Sequence, residues 1–211
     1  GIALALAMLL EELRMSPVVG VGHGAGCAIL MRMALAEDST LRALVGINAT
    51  LTPPQSQLWT LLAPAARVGV RSQHMAELGR SLESGTLDST LMSTTGSRLS
   101  PSQAALYGVF LRSQRHMGAV LPVFEHWDAP RLQRDLERLM IPVTFAVGLH
   151  DSWVPPHDVD RIAMRLADAR IVEVREGGHF AHEDVPDQLE RIIVESAMNA
   201  GLLAGVPVGG L

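Results

Sequence analysis

The chain has 211 residues, a net charge of −5, a mean hydropathy of +0.23 and 48% hydrophobic residues. That is enough apolar material for one α/β domain with a real core, and it excludes a disordered chain. All 17 basic residues are arginine and none lies in a basic run, which argues against a nucleic-acid partner, while a lone cysteine leaves no internal disulfide and fits a reducing compartment.

Residues 2–14 read as an Ala/Leu-rich helix ending before Pro17. Its apolar part stops at Glu11-Glu12, too short to span a bilayer, and it lacks the charged leader and cleavage site of a signal peptide. The expected location is the cytoplasm, with peripheral membrane contact left open. The chain begins at Gly1, without methionine and in mid-helix, so earlier strands of its sheet are expected to precede it.

Residues 17–21 form a short, partly β-branched apolar run, as in a strand buried on both faces. From Ala25 the pattern changes to a helical period through Ala28, Ile29, Arg32 and Met33. Between them stands Gly22-His23-Gly24-Ala25-Gly26. Strand, glycine-rich turn and helix form the setting of the G-x-S-x-G nucleophile elbow, and here the nucleophile position holds Gly24. The central residue of such a turn occupies a sparsely populated backbone conformation that costs a non-glycine residue about 1–3 kcal/mol. Glycine removes the strain and the attacking group together.

Residues 41–48 are the next buried strand, ended by Thr52-Pro53-Pro54, and the βαβ unit so formed implies a parallel sheet. Residues 53–127 alternate helical patches, such as 104–111, with polar loops, and are expected to form an inserted helical lid over the carboxyl edge of the sheet. Leu132, Leu136 and Leu139 share one helical face before a third strand at 141–147. Pro155-Pro156 opens a helix carrying Val159, Ile162, Ala163 and Leu166. A fourth strand at 171–174 precedes Gly177-Gly178. The last helix buries Leu189, Ile192 and Ile193, with Asp184 as its expected N-cap. The predicted organisation is thus an α/β core from residues 1–52 and 128–200, a lid at 53–127 and a flexible tail at 201–211.

Three loops at strand carboxyl ends belong together: the glycine turn, Asp151 after the third strand and His179 after the fourth. Nucleophile position, then acid, then histidine is the chain order of one catalytic triad. In it the histidine is the general base and the acid fixes its tautomer. Asp151 has the alternative of capping the following helix. His74, His116, His126, His157 and His182 read as surface or lid residues, and Cys27 as a small buried hydrophobe. No cluster has metal-ligand spacing, and no cofactor is expected. Gly20-x-Gly22-x-x-Ala25 also matches a loose dinucleotide fingerprint, but Asn48-Ala49-Thr50 supplies no carboxylate for a ribose at the end of the next strand.

Several stretches resemble the α/β-hydrolase-fold magnesium chelatase accessory proteins of bacteriochlorophyll biosynthesis. They are residues 22–35, 43–49 and 106–107, His126-Trp127-Asp128, residues 132–136, Val154-Pro155-Pro156 and residues 178–183. The resemblance implies an α/β-hydrolase fold, a mostly parallel sheet with helices on both faces and a helical lid. The family usually reads Gly-His-Ser-Ala-Gly at the elbow, so this chain departs from it at Gly24. Its elbow strand normally has an earlier neighbour whose following loop gives one oxyanion donor; the other is the N–H at Ala25.

The function so implied is accessory to magnesium insertion into a porphyrin, with a porphyrin intermediate or magnesium chelatase subunits as partners. Trp59, Tyr107, Phe110, Phe124 and Trp127 would then line the ligand site in an otherwise aromatic-poor chain. A lidded serine-type hydrolase of esters or other acyl substrates, in an inactive form, is the alternative. A dinucleotide-binding domain is the third reading.

Overall fold

Four parallel strands, paired in chain order, form the centre of the computed structural model, in which residues 1–52, 92–125 and 128–203 are described. They are β1 (Val19–His23), β2 (Ala43–Ile47), β3 (Val143–Gly148) and β4 (Ala169–Val174). Every residue of β2 and β3 is buried, as expected of strands with both faces covered. Alternation decides which face each side chain serves. Leu44, Val143, Phe145 and Val147 join one core cluster, whereas Val45, Ile47 and Ala146 join another.

The first cluster is closed by α2 (Ala25–Ala34), through Cys27, Ala28 and Met31. It is completed by α5 (Ala129–Asp135) with its following turn Leu136–Arg138, and by α6 (Pro156–Ala163). Helix α1 (Ile2–Glu12) leans on this cluster with Ala3, Leu6 and Leu10 and leaves Leu4 and Met8 exposed. The second cluster is closed by α7 (Ala181–Asp184) and α8 (Pro186–Asn199), through Ala181, Leu189 and Ile192. Helices on both faces of a parallel sheet put all four strand carboxyl ends on one edge. The loops after β1, β3 and β4 therefore meet there.

Among the described residues β1 pairs only with β2, and Val18 and Val21 are exposed along it. The strand is shifted two residues from its predicted span because Pro17 has no N–H for a ladder. The pairing opens instead with Val18 accepting from the N–H groups of Arg42 and Ala43. Within 92–125, α3 (Pro101–Arg112) starts with a capping box between Ser100 and Gln103 and is followed by α4 (Gln114–Glu125). Most of the expected lid, at 53–91 and 126–127, and the end of the expected tail, at 204–211, lie outside the described residues.

The expected N-cap at Asp184 is corrected. Val185 holds that position and makes no side-chain cap. Asp184 ends α7, and its carboxylate instead accepts from the N–H of Arg98 (2.7 Å) and of Gly178 (2.8 Å). Each oxygen of the carboxylate is held by one loop N–H, which fixes the group toward the loops and not toward the start of α8.

Candidate active site

The turn between β1 and α2 is one residue long. Gly24 has φ 55° and ψ −122°, a conformation open to glycine and strained for anything with a Cβ. Its N–H donates to the carbonyl of Ile47 and its carbonyl accepts from the N–H of Thr50, both at 3.0 Å, so the turn is fastened to the end of β2. At Gly22 a Cβ would come within 2.6 Å of the Cys27 backbone nitrogen, so the close strand-to-helix approach requires glycine there. Among the described residues a Cβ at Gly24 would meet only Thr50 Oγ1, at 3.7 Å. Those residues thus leave room for a side chain, and the backbone resists one. Cys27, one turn along, is buried, and burial pushes its thiol up to about 12, which suits packing and not attack.

Asp151, just past β3, uses both carboxylate oxygens. Oδ1 accepts from the N–H groups of Trp153 (2.7 Å) and Val154 (2.9 Å), and Oδ2 lies 2.9 Å from His179 Nδ1. A carboxylate partner places the proton on Nδ1 and leaves Nε2 as a lone-pair nitrogen. No described residue bonds that nitrogen. The alternative of Asp151 as a helix cap does not describe this geometry, because α6 begins at Pro156 with Pro155 at its N-cap.

His179 is also held by its backbone. Its N–H donates to the carbonyl of Thr95 (2.8 Å), and its own carbonyl accepts from Asn48 Nδ2 and His23 Nε2, each at 2.8 Å. Because the acceptor is a carbonyl, His23 carries its proton on Nε2. Asn48 is 1% exposed and joins all three loops. Its amide donates to Gly178 and His179, its oxygen accepts from the N–H of Gly148 (2.7 Å), and it stands two residues before Thr50, whose N–H bonds Gly24. Its side chain is thus committed to the loops and not to a ribose.

The structure brings Gly24, Ala25, Asp151 and His179 to one sheet edge. It also adds residues that the motifs did not mark. His182, expected at the surface, is half-buried with its ring 4.8 Å from that of His23, whose ring lies 4.7 Å from His179. His116 and His157 are exposed, as expected, and His74 and His126 lie outside the described residues. Tyr107 of α3 stacks on Phe180 at 4.4 Å and donates to Glu183 (2.9 Å), which also accepts from Gln103 (2.7 Å). Phe110 is exposed and packs on His116, away from this group. Phe124 lies on α4, and Trp59 and Trp127 fall outside the described residues. Among the described residues no group of three or more His, Cys, Asp or Glu is arranged to hold a metal ion.

Burial, helped by the neighbouring His179 and His182, holds His23 down at about 3. The unfolded chain takes up a proton at an ordinary histidine value of 6.5 that the folded chain refuses until about pH 3. Stability is therefore expected to fall as pH drops through that window, by up to about 1.4 kcal/mol per pH unit for one group. His182, also held low chiefly by burial, adds in the same direction. Urea midpoints at pH 7 and pH 5 measure the slope. His23→Gln, which keeps a donor for the His179 carbonyl, is expected to flatten it; an unchanged slope would assign the protons elsewhere.

A parallel sheet covered on both faces, with a strand–glycine–helix turn and the acid and histidine loops converging on it, defines an α/β-hydrolase core. Residues 2–192 match the alpha/beta hydrolase family, and the chain belongs to it. It is similar to the magnesium-chelatase 30 kDa subunit of Rhodobacter capsulatus, with 29% identity over 188 residues. That match covers 89% of this chain and 65% of the relative, so the chain spans just under two thirds of that relative's length. Among solved structures, an α/β hydrolase fold protein from Burkholderia ambifaria has 18% identity and a TM-score of 0.71, covering 92% of this chain and 71% of the other. A thermophilic esterase from Thermogutta terrifontis has 18% identity and a TM-score of 0.68, covering 92% and 70%. These two likenesses concern the fold alone. No helix among the described residues is long and apolar enough to cross a membrane.

Proposed function

We propose that this protein is an accessory factor of magnesium insertion into a porphyrin, in bacteriochlorophyll biosynthesis, and that it binds a porphyrin intermediate at the loop edge described above instead of hydrolysing an ester. The similarity to the Rhodobacter capsulatus magnesium-chelatase subunit carries this reading. Gly24 supports it: the backbone of an elbow is kept while the position of the nucleophile has no side chain. In this reading the Asp151–His179 pair recognises a ligand, residues 53–127 form the lid over it, and magnesium chelatase subunits are the partners. The protein works in the cytoplasm, with peripheral membrane contact.

Titration with protoporphyrin tests the reading through tryptophan fluorescence, because Trp153 lies 4.8 Å from the His179 ring. Saturable quenching in the low-micromolar range, weakened at least tenfold by Trp153→Ala, is the expected result. Quenching no stronger than that of an unrelated acidic protein would rule it out. The second reading, a lidded serine-type ester or acyl hydrolase in an inactive form, is favoured by one observation: the 2.9 Å Asp151–His179 contact keeps a general base oriented.

A further inference from the structure

We infer that the space at Gly24 is a carboxylate site, taking the acid group of an apolar ligand between the N-terminus of α2 and the Nε2 nitrogen of His179. For a porphyrin acid the inference rests on the function proposed above; for any other apolar acid it stands independently.

The site is built from four sides. Among the described residues a Cβ on Gly24 would meet only Thr50 Oγ1, so none of them fills the volume that a serine side chain would take. Helix α2 has ten residues, no side-chain cap and no acidic residue in its first turn, so the N–H groups of Ala25 and Gly26 face outward with the positive end of the helix dipole. Independently of the helix, His179 is 7% exposed and its Nε2 has no hydrogen-bond partner among the described residues. Thr50 is likewise buried, with its backbone fixed on Gly24 and its hydroxyl without a hydrogen bond to any described residue.

A carboxylic acid meets these groups one for one. One oxygen accepts from the helix N–H groups and the Thr50 hydroxyl. The acid's proton passes to, or is shared with, His179 Nε2, and Asp151 balances the charge that the imidazole gains. An ester has no proton to give and a poorer acceptor. The carboxylates nearby do not compete, since Asp151 is taken by His179 and the Trp153 and Val154 N–H groups, and Glu183 by Tyr107 and Gln103. Rings of Trp153 (4.8 Å from His179) and Phe180 (5.3 Å) supply apolar wall for the body of the ligand.

The test compares protoporphyrin with its dimethyl ester, and decanoate as a simple acyl acid, on the protein and on Gly24→Ser and Thr50→Val. The free acid is expected to bind at least tenfold more tightly than the dimethyl ester. Thr50→Val should shrink that preference severalfold, and Gly24→Ser, which fills the space, should abolish it. Equal affinity for acid and ester, or a preference untouched by both substitutions, overturns the carboxylate site while leaving porphyrin binding in place. If neither porphyrin binds, the proposed function fails and decanoate decides the site. Decanoate binding that is lost in Gly24→Ser sustains it for acyl acids, and no decanoate binding removes it.

Discussion

Gly24→Ser is expected to turn an unreactive site into one that a fluorophosphonate labels covalently, at a rate at least about a thousandfold above the parent chain. The parent has a histidine oriented by Asp151 but a glycine at the nucleophile position, which gives the base no hydroxyl there to activate. Serine at 24 would find space among the described residues, of which only Thr50 Oγ1 stands within 4 Å of its Cβ. It would also restore the strain of φ 55°, at a cost of about 1–3 kcal/mol in unfolding free energy. Gly24→Ala separates the two effects: it carries the same strain and no hydroxyl, so it should lose stability equally and never label. Adding His179→Ala to Gly24→Ser should abolish labelling. Labelling is a more sensitive read-out than turnover, because it needs one covalent event per site and no repeated cycle. A folded Gly24→Ser protein that resists the reagent would show that the Asp151–His179 pair is not a catalytic dyad, and the accessory reading would then stand without catalytic ancestry.

What could be read from the chain alone was whatever repeats a local rule. Gly22, Gly24 and Gly26 stand at fixed offsets between an apolar run and a helical period, so the turn announces itself within five residues. Asp151 follows a run that is apolar at successive positions and His179 follows the mostly β-branched Ile171-Val172-Glu173-Val174, which marks strands and therefore which edge the next loop lies on. Asn48 follows such a run too, yet one amide at a strand end has no local signature; its partners Gly148 and Gly178 are 100 and 130 residues away. Only its place in the chain, at the same edge as the other loops, could have marked it. His23 was hidden as the variable residue of the glycine motif. His182 looked like a surface residue because α7 is too short to show a period, although that single turn is what swings the ring against His23. Asp184 was misread for a related reason: an acid before Pro186 has the local pattern of a cap, and the loop contacts that claim it come from Arg98 and Gly178.

Asn48 is where loss of one side chain is expected to undo the whole edge. Its amide and carbonyl make three hydrogen bonds, to Gly148, Gly178 and His179, all buried. Removing them leaves a buried N–H and weakens two carbonyl positions, each worth about 1–3 kcal/mol when unpaired, so Asn48→Ala should lose about 3–5 kcal/mol. Part of that is backbone, because Asn48 has φ 45°, which asparagine tolerates and alanine does not. Asn48→Gly accepts the conformation freely and therefore isolates the hydrogen bonds; it should be about 1 kcal/mol less damaging than alanine and still clearly destabilised. Asn48→Asp keeps the shape but replaces the donor with a charge aimed at two carbonyls, and should be the worst of the three. Urea denaturation orders these variants. A local read-out separates positioning from mere stability: the His179 Nδ1 proton, held by Asp151 at 2.9 Å, should give a downfield proton resonance in the parent. That resonance should be lost or broadened in Asn48→Gly under conditions where the variant is still folded. If Asn48→Gly is within 1 kcal/mol of the parent and keeps the resonance, the dyad is held by the Thr95 and His23 contacts to the His179 backbone, and Asn48 is only a filler of the sheet edge.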